Sequence, residues 1–470
     1  MKISRTLLLA AILPAVVATG CNSFLEGTGI TTNPNKPTNA TADQLWVGVQ
    51  AAQMAQWEAY PFNLLPLWAQ QIQGVQRQWQ NYAQYRSGTD NLTADPAWNG
   101  AYTGGGFADI KRIENELNSA GNKRLFLGEA RVMEALVMGT NADIWGDVPY
   151  SQAAQGVANP TFDKQADVYA HVLAVLDSAI ADLAADQNGA ATDFFFGNDA
   201  TKWTGVAHTL KGRYLLHQSR GADSSTQFAA ALTEAQSGIS SEAGTMQSVH
   251  TGDVGAQNLF YVFLTGPRAG DVEPSAIHIG IMQALNDNVL LAATYNKGTA
   301  GTYVGSAAGQ TAGTTVSTFA IKIDSPIGLV TFAENQMMIA ELQYRTGNAG
   351  AAATTFASFR TAAGETIAAP APGGTNGLLI QILEEKYARD FINPNVFFDY
   401  MRTCVPNIPM PAAHSDAFNW VPARFVYGYT EDISNPNVPT PEPNANANTP
   451  LNAKDPAGAV CAGQANRLTP

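Results

Sequence analysis

Apolar residues recur every three or four positions along most of the chain, which is the spacing that places them on one face of an α-helix. The clearest run is formed by Val168, Val172, Leu176, Ile180 and Leu183. Further segments of helical pattern lie at 42–57, 63–85, 98–117, 203–214, 228–239, 332–345, 349–363 and 378–401. Each of these helices would bury one face against a neighbour. The pattern therefore predicts an all-α body.

A short polar joint, Thr-Gly-Asn at 346–348, separates two of the predicted helices. Two antiparallel helices with such a joint are the unit of tetratricopeptide-like arrays. A strict period of about 34 residues is not visible in the sequence, so we expect degenerate helical pairs rather than a regular solenoid.

Two long segments interrupt the helical pattern. Between 240 and 325 Gly, Thr, Ala and Ser accumulate, apart from a short apolar run at 276–285, which predicts a loop-rich insertion that could include short strands. Residues 435–470 are rich in Pro and Asn and predict an irregular C-terminal tail. Because long irregular segments in compact domains are often functional, we expect the ligand at the insertion and at the aromatic segment near residue 80.

The N terminus has the layout of an export signal. Lys2 and Arg5 precede an apolar run that ends at Ala18, and Thr19-Gly20-Cys21 follows. A run of about a dozen residues is too short to span a bilayer stably. We predict removal of a lipoprotein signal peptide and palmitate on Cys21. The alternative is an ordinary secretory peptide followed by a chance cysteine.

These boundaries give a simple organisation. Residues 1–20 form the signal peptide, and residues 21–41, with two prolines and little apolar material, are predicted to be a tether. The helical domain with its insertion occupies 42–434, and the tail follows.

Cys404 and Cys461 remain in the mature chain, and an exported compartment permits a disulfide between them. Two buried free thiols are the alternative.

The charge of the chain limits its partners. A net charge of -13 repels a phosphate backbone, so no nucleic acid is expected. Only 14% of the residues are charged, which favours a ligand held by neutral hydrogen bonds and stacking, such as a sugar or a short peptide.

Aromatic and amide side chains provide the candidate ligand-binding residues. Aromatic rings can stack on the apolar face of a sugar, and amides can hydrogen-bond its hydroxyls. The candidates are Trp79, Asn81, Tyr82, Tyr85, Trp98, Asn99 and Tyr102. At this spacing the same rings could instead bury one face of a helix, and that alternative stays open.

Reactive constellations are missing from the sequence. It contains no His-Glu-x-x-His or Gly-x-Ser-x-Gly pattern, and no histidine stands at metal-ligand spacing from a cysteine. Glu384 and Glu385 are neighbours that diverge by about 100° around a helix axis, so they would not face one substrate. The sequence therefore predicts a binding protein without a metal or cofactor, rather than an enzyme.

Four segments in order resemble the SusD/RagB family of nutrient-binding outer-membrane lipoproteins. They are ADIWGDVPYSQA at 142–153, AELQYRTGN at 340–348, ILEEKYARDFINPNVFFDYMR at 382–402, and PARFVY at 422–427 followed by NPN at 435–437. The resemblance implies a SusD-like body of tetratricopeptide-like helical pairs with an irregular ligand-binding face. It also implies lipid anchoring at the cell surface and pairing with a SusC-like TonB-dependent transporter. The expected function is delivery of an oligosaccharide to that transporter. A peptide-binding uptake subunit, a secreted glycan-degrading enzyme and a purely structural surface protein are the alternatives.

Overall fold

The computed structural model describes residues 40–60, 62–86, 91–185, 188–218, 224–310, 313–366, 377–411, 422 and 424–439. The predicted signal peptide, Cys21, nearly all of the tether and Cys461 lie outside these residues. So does most of the predicted tail.

Helices dominate the described part of the chain. They are α1 (Ala42–Glu58), α2 (Leu64–Trp68), α3 (Arg77–Ala83), α4 (Asn91–Tyr102), α5 (Phe107–Ala120), α6 (Arg124–Trp145), α7 (Gln165–Leu183), α8 (Ala200–His217), α9 (Ser224–Gln236), α10 (Leu259–Thr265), α11 (Ala276–Leu285), α12 (Asn288–Thr294), α13 (Phe332–Arg345), α14 (Ala349–Ala362), α15 (Gly377–Arg389), α16 (Asn395–Thr403) and α17 (Tyr429–Ser434). The all-α prediction is confirmed. Among the described residues, none of these helices is both long and apolar enough to cross a membrane.

Short strands join distant parts of the chain. They are β1 (Ile72–Gly74), β2 (Met246–Gln247), β3 (Val272–Pro274), β4 (Tyr295–Asn296), β5 (Thr318–Phe319) and β6 (Gly328–Val330). They form antiparallel pairs in the order β1–β3, β2–β6 and β4–β5. The first pair attaches the middle of the chain to its beginning.

Paired helices form the body of the protein. Helix α6 packs along α7, α8 along α9, and α13 along α14. Two glycines of α6 allow close approach: a Cβ on Gly128 would lie 2.7 Å from Cγ of Leu183, and one on Gly139 would lie 2.1 Å from Cζ of Tyr214. Larger side chains at these positions would separate α6 from α7 and α8.

Helix α6 lies at the centre of the core. Of its residues, only Arg124, Arg131 and Asp143 are not buried. A helix that is buried almost all round carries apolar residues on every side and therefore lacks the one-sided pattern of a surface helix. The sequence analysis did not assign α6, although Phe126, Ala130, Met133 and Val137 recur at helical spacing along it.

Buried ion pairs tie the helical pairs together. Nε and Nη2 of Arg213, on α8, each lie 2.6 Å from a carboxylate oxygen of Glu334, on α13. The guanidinium of Arg402, on α16, contacts Glu341 of α13 at 2.5 and 2.9 Å. Burial acts to raise the pKa of Glu341, but the charges of Arg402 and Arg345 outweigh it and hold that pKa at about 2. Glu341 is therefore ionised inside the fold.

The insertion at 240–325 is more ordered than the loop-rich segment that the sequence predicted. It contains α10, α11, α12 and four of the short strands. Two of its helices begin at side-chain caps, where Asn258 accepts from the amide of Tyr261 and Ser275 accepts from that of Ile277. Helices of seven to ten residues span too few turns to give a clear periodic pattern.

Three helices predicted as single segments are divided in the structure. The segment 63–85 becomes α2, β1 and α3, and the segment 98–117 spans the end of α4 and most of α5. Gly104 and Gly105, with φ of 60° and 95°, make the turn between α4 and α5. Pro394 precedes α16 and divides 378–401, because its ring cannot continue the preceding helix.

Candidate functional site

The first and last of the four family-like motifs are joined by hydrogen bonds. The indole of Trp145 donates to the carbonyl of Val426 at 2.9 Å, and the amide of Phe425 donates to that of Ile144 at 3.0 Å. The hydroxyl of Tyr427 donates to the carbonyl of Asp147 at 2.9 Å. These motifs therefore hold the C-terminal part of the domain onto the end of α6.

The predicted site residues near position 80 are mostly buried. Trp79 is 3% exposed, Tyr82 9% and Tyr85 0%. The hydroxyl of Tyr85 donates to the carbonyl of Trp68 at 3.0 Å, well inside the fold. For these three rings the structure favours the alternative that they belong to the core. Asn81 is exposed.

An exposed tyrosine that the sequence analysis missed contacts two of these rings, Trp79 and Tyr82. Tyr60 is 39% exposed, stacks on Tyr82 at 6.3 Å with an interplanar angle of 24°, and meets Trp79 edge-on at 6.2 Å. Trp79 also contacts the ring of Phe263, on α10, with the ring centroids 4.9 Å apart. Phe263 is partly exposed. Tyr60, Trp79, Tyr82 and Phe263 are called the aromatic surface below.

The insertion and the segment near residue 80 meet at the aromatic surface. Beyond the β1–β3 pair, Nη1 of Arg77 lies 2.6 Å from Oδ1 of Asp271. Nε2 of Gln84 donates to the carbonyl of Gly309 at 2.8 Å. The two segments that sequence analysis singled out separately are thus side by side. Arg77, Asn81 and Arg86, in and next to α3, are exposed and carry hydrogen-bond donors.

The remaining predicted residues, Trp98, Asn99 and Tyr102, line a separate cavity of about 250 Å³, which we call the α4 pocket. Its other walls include Phe107, Pro149, Val157 and Glu431. The hydroxyl of Tyr102 donates to the carbonyl of Pro149 at 2.8 Å. Pockets for drug-sized ligands usually hold about 300–1,000 Å³, so this one suits a single small group.

One arrangement resembles a catalytic relay but lacks its geometry. Nε2 of His250 lies 2.6 Å from Oε1 of Glu58 and 2.8 Å from Oγ of Ser248. A relay requires the hydroxyl and the carboxylate on opposite ring nitrogens, whereas here both contact the same nitrogen. Glu385 has a structural role, because it is buried and pairs with Arg360 and Arg389.

Two other expectations concern metals and the disulfide. Within the described part of the chain, no group of three His, Cys, Asp or Glu side chains is arranged to hold a metal ion. Cys404 is disulfide-bonded. Its predicted partner, Cys461, is outside the described residues, so that pairing stays a prediction.

A family model described as starch-binding associating with outer membrane, SusD-like, matches residues 34–428. The chain belongs to the SusD-like family. Solved structures with the same fold include a SusD/RagB family protein from Bacteroides thetaiotaomicron, with a TM-score of 0.70, 19% identity and coverage of 87% of this chain and 97% of that one. A chitin-binding protein has a TM-score of 0.71, 19% identity and coverage of 84% and 94%.

A SusD homolog from Bacteroides fragilis has a TM-score of 0.67, 18% identity and coverage of 84% of this chain and 94% of that one. At these identities the structures establish the shared SusD-like fold. A comparison with curated proteins finds no match. The resemblance stated from the four sequence motifs is confirmed.

Proposed function

We propose that this protein is a cell-surface lipoprotein that captures an oligosaccharide at the aromatic surface and delivers it to a TonB-dependent outer-membrane transporter. The observation that carries the proposal is the partly exposed ring of Tyr60, stacked on a buried aromatic layer in a chain of the SusD-like family. The buried layer fixes the ring, so little conformational entropy is lost when a ligand stacks on it.

The polar groups around the ring suit a neutral glycan. Arg77, Asn81 and Arg86 are exposed on the segment that carries Trp79 and Tyr82, and their side chains can donate to the hydroxyl oxygens of a sugar. Trp79 contacts both Tyr60 and the partly exposed Phe263, so the surface includes more than one accessible ring. A chain of sugars, rather than a monosaccharide, would make use of more than one ring.

Isothermal titration of the mature protein against a panel of oligosaccharides and peptides tests capture. The panel includes starch and chitin fragments, since the family description and one structural neighbour name those polymers. Saturable heat with glycans supports the proposal, whereas heat with peptides alone would support the peptide-binding alternative. Release of reducing ends from a polysaccharide by the pure protein would support the enzymatic alternative.

Anchoring and delivery are tested separately. Radiolabelled palmitate should attach to the wild-type chain and not to a Cys21→Ala variant, which should be released from the membrane. Extraction in mild detergent should recover a large outer-membrane transporter together with the protein. Equal labelling of both chains would contradict the assignment of Cys21, and recovery of the protein alone would contradict the pairing.

A further inference from the structure

The α4 pocket has a composition that the capture of neutral glycans does not require. Its lining is mainly aromatic and aliphatic and includes Trp98, Tyr102, Phe107, Pro149 and Val157. Glu431 is the one charged residue among the described residues that line the pocket. The pocket is thus an apolar cavity with one carboxylate in its wall.

The charge of Glu431 is not neutralised by the groups that hold it. Oε1 accepts a hydrogen bond from Nδ2 of Asn435 at 2.6 Å, and Oε2 lies 3.4 Å from the indole Nε1 of Trp98. Both donors are neutral, so they fix the carboxylate in place and leave its negative charge directed at the cavity.

Two further carboxylates near the pocket are also held by neutral donors. Asp95 accepts from the side chain of Asn99 at 2.8 Å and from the amide of Thr430 at 2.7 Å. Asp163 accepts from the amides of Tyr150 and Ser151 at 2.8 and 2.7 Å. These carboxylates contribute a negative field at the pocket, against which stands the buried guanidinium of Arg424, 5.0 Å from the ring centroid of Tyr427.

The ionisation of Tyr102 is consistent with this field. Burial raises the pKa of its hydroxyl well above the ordinary value, and the negative charges of Glu431 and Asp163 raise it further. A basic group, Lys111, lies behind the wall, 6.0 Å from the ring centroid of Phe107. Its ammonium group lies 2.6 Å from a carboxyl oxygen of Glu114 and 3.2 Å from one of Glu134. Burial raises the pKa of Glu114 to about 9, so the balancing charge is that of Glu134.

We propose that the α4 pocket is a binding site for a small organic cation, an ammonium group carried on a compact apolar scaffold. The carboxylate offers Coulomb attraction in a partly desolvated cavity, and aromatic walls favour alkylated ammonium groups. An anion would be repelled, and a neutral apolar molecule would leave the carboxylate desolvated without a counter-charge. The volume of about 250 Å³ suits one small group.

Titration calorimetry of the full mature chain with choline tests the site. The matched probe is 3,3-dimethyl-1-butanol, which has the shape of choline without its charge. Choline should bind at least about tenfold more tightly than the neutral isostere. Glu431→Gln should weaken choline binding about tenfold, whereas Glu242→Gln, at an exposed acid outside the pocket, should leave it unchanged.

A second variant guards against a folding defect in Glu431→Gln. Val157 is 46% exposed at the rim, so Val157→Trp should block choline by filling the cavity while the carboxylate stays in place. Tyr60→Ala should leave choline binding unchanged, which separates this site from the proposed glycan site. Equal affinity for choline and its isostere, full choline affinity in Glu431→Gln, or absence of choline binding by the wild type would each overturn the proposal.

Discussion

The buried pair of Arg213 and Glu334 gives a quantitative test of how the helical pairs are held together. Arg213 is 2% exposed and Glu334 0%, and both nitrogen–oxygen contacts measure 2.6 Å. Glu334→Gln keeps the shape of the side chain but removes its charge, so the guanidinium is left buried without its main counter-ion. Breaking a buried pair in this way costs about 3–5 kcal/mol, which is a large part of the stability of about 5–15 kcal/mol of a typical domain.

Urea unfolding, followed by circular dichroism, measures this cost. We expect the urea concentration at the unfolding midpoint to fall, while the dependence of the free energy of unfolding on urea concentration stays the same. The control is Asp177→Asn, which breaks the pair of Lys211 with an aspartate whose side chain is 66% exposed, and it should cost less than about 1 kcal/mol. The double variant Arg213→Met, Glu334→Leu should recover much of the lost stability, because it leaves no unpaired charge. A loss in Glu334→Gln no larger than in the control would refute this reasoning.

The remaining predictions concern packing, pH and the disulfide. In thermal melts, Gly139→Ala should lower stability by about 1–3 kcal/mol, because the added methyl group overlaps a tyrosine ring of α8. The control is Gly48→Ala, which has open space around it and should raise stability by up to about 1 kcal/mol. Folding lowers the pKa of Glu341 from 4.5 to about 2. The contribution of Glu341 to the free energy of unfolding is therefore complete above pH 4.5 and is lost as the pH falls towards 2. Between pH 4.5 and 2, the free energy of unfolding should therefore fall less steeply with pH in Glu341→Gln than in the wild type. An equal dependence on pH in the two proteins would contradict this. Non-reducing peptide mapping should link Cys404 to Cys461, and a free thiol at either position would argue against that pairing.

Sequence pattern predicted those helices that present one face to the core. The run from Val168 to Leu183 lies within α7, and the predicted segments 332–345 and 349–363 coincide with α13 and α14 to within a residue. These helices bury one side and expose the other, so their apolar residues recur at helical spacing. Helix α6 is buried on almost every side, so its apolar residues are not confined to one face, and it was not assigned from the sequence pattern even though Phe126, Ala130, Met133 and Val137 recur at helical spacing.

The candidate site was only partly predictable for a related reason. Local spacing identified Trp79 and Tyr82 as one face of a helix, but it cannot tell whether that face points into the core or towards solvent. Tyr60 lies just beyond the end of α1 and has no periodic neighbours that would mark it. Phe263 reaches the same surface through the pairing of β1 with β3, a contact between residues about 200 positions apart in sequence. Long-range pairing of this kind leaves no local pattern.

The central claim, glycan capture at the aromatic surface, is tested most directly by titrating the binding oligosaccharide into wild type, Tyr60→Ala and Tyr429→Ala. Tyr429 is 41% exposed on α17 and serves as a control for the loss of an exposed tyrosine elsewhere. Loss of one stacking ring is worth about 0.5–1.5 kcal/mol, so we expect affinity to fall about threefold to tenfold in Tyr60→Ala and to stay unchanged in Tyr429→Ala. Equal affinity in all three proteins would contradict the account.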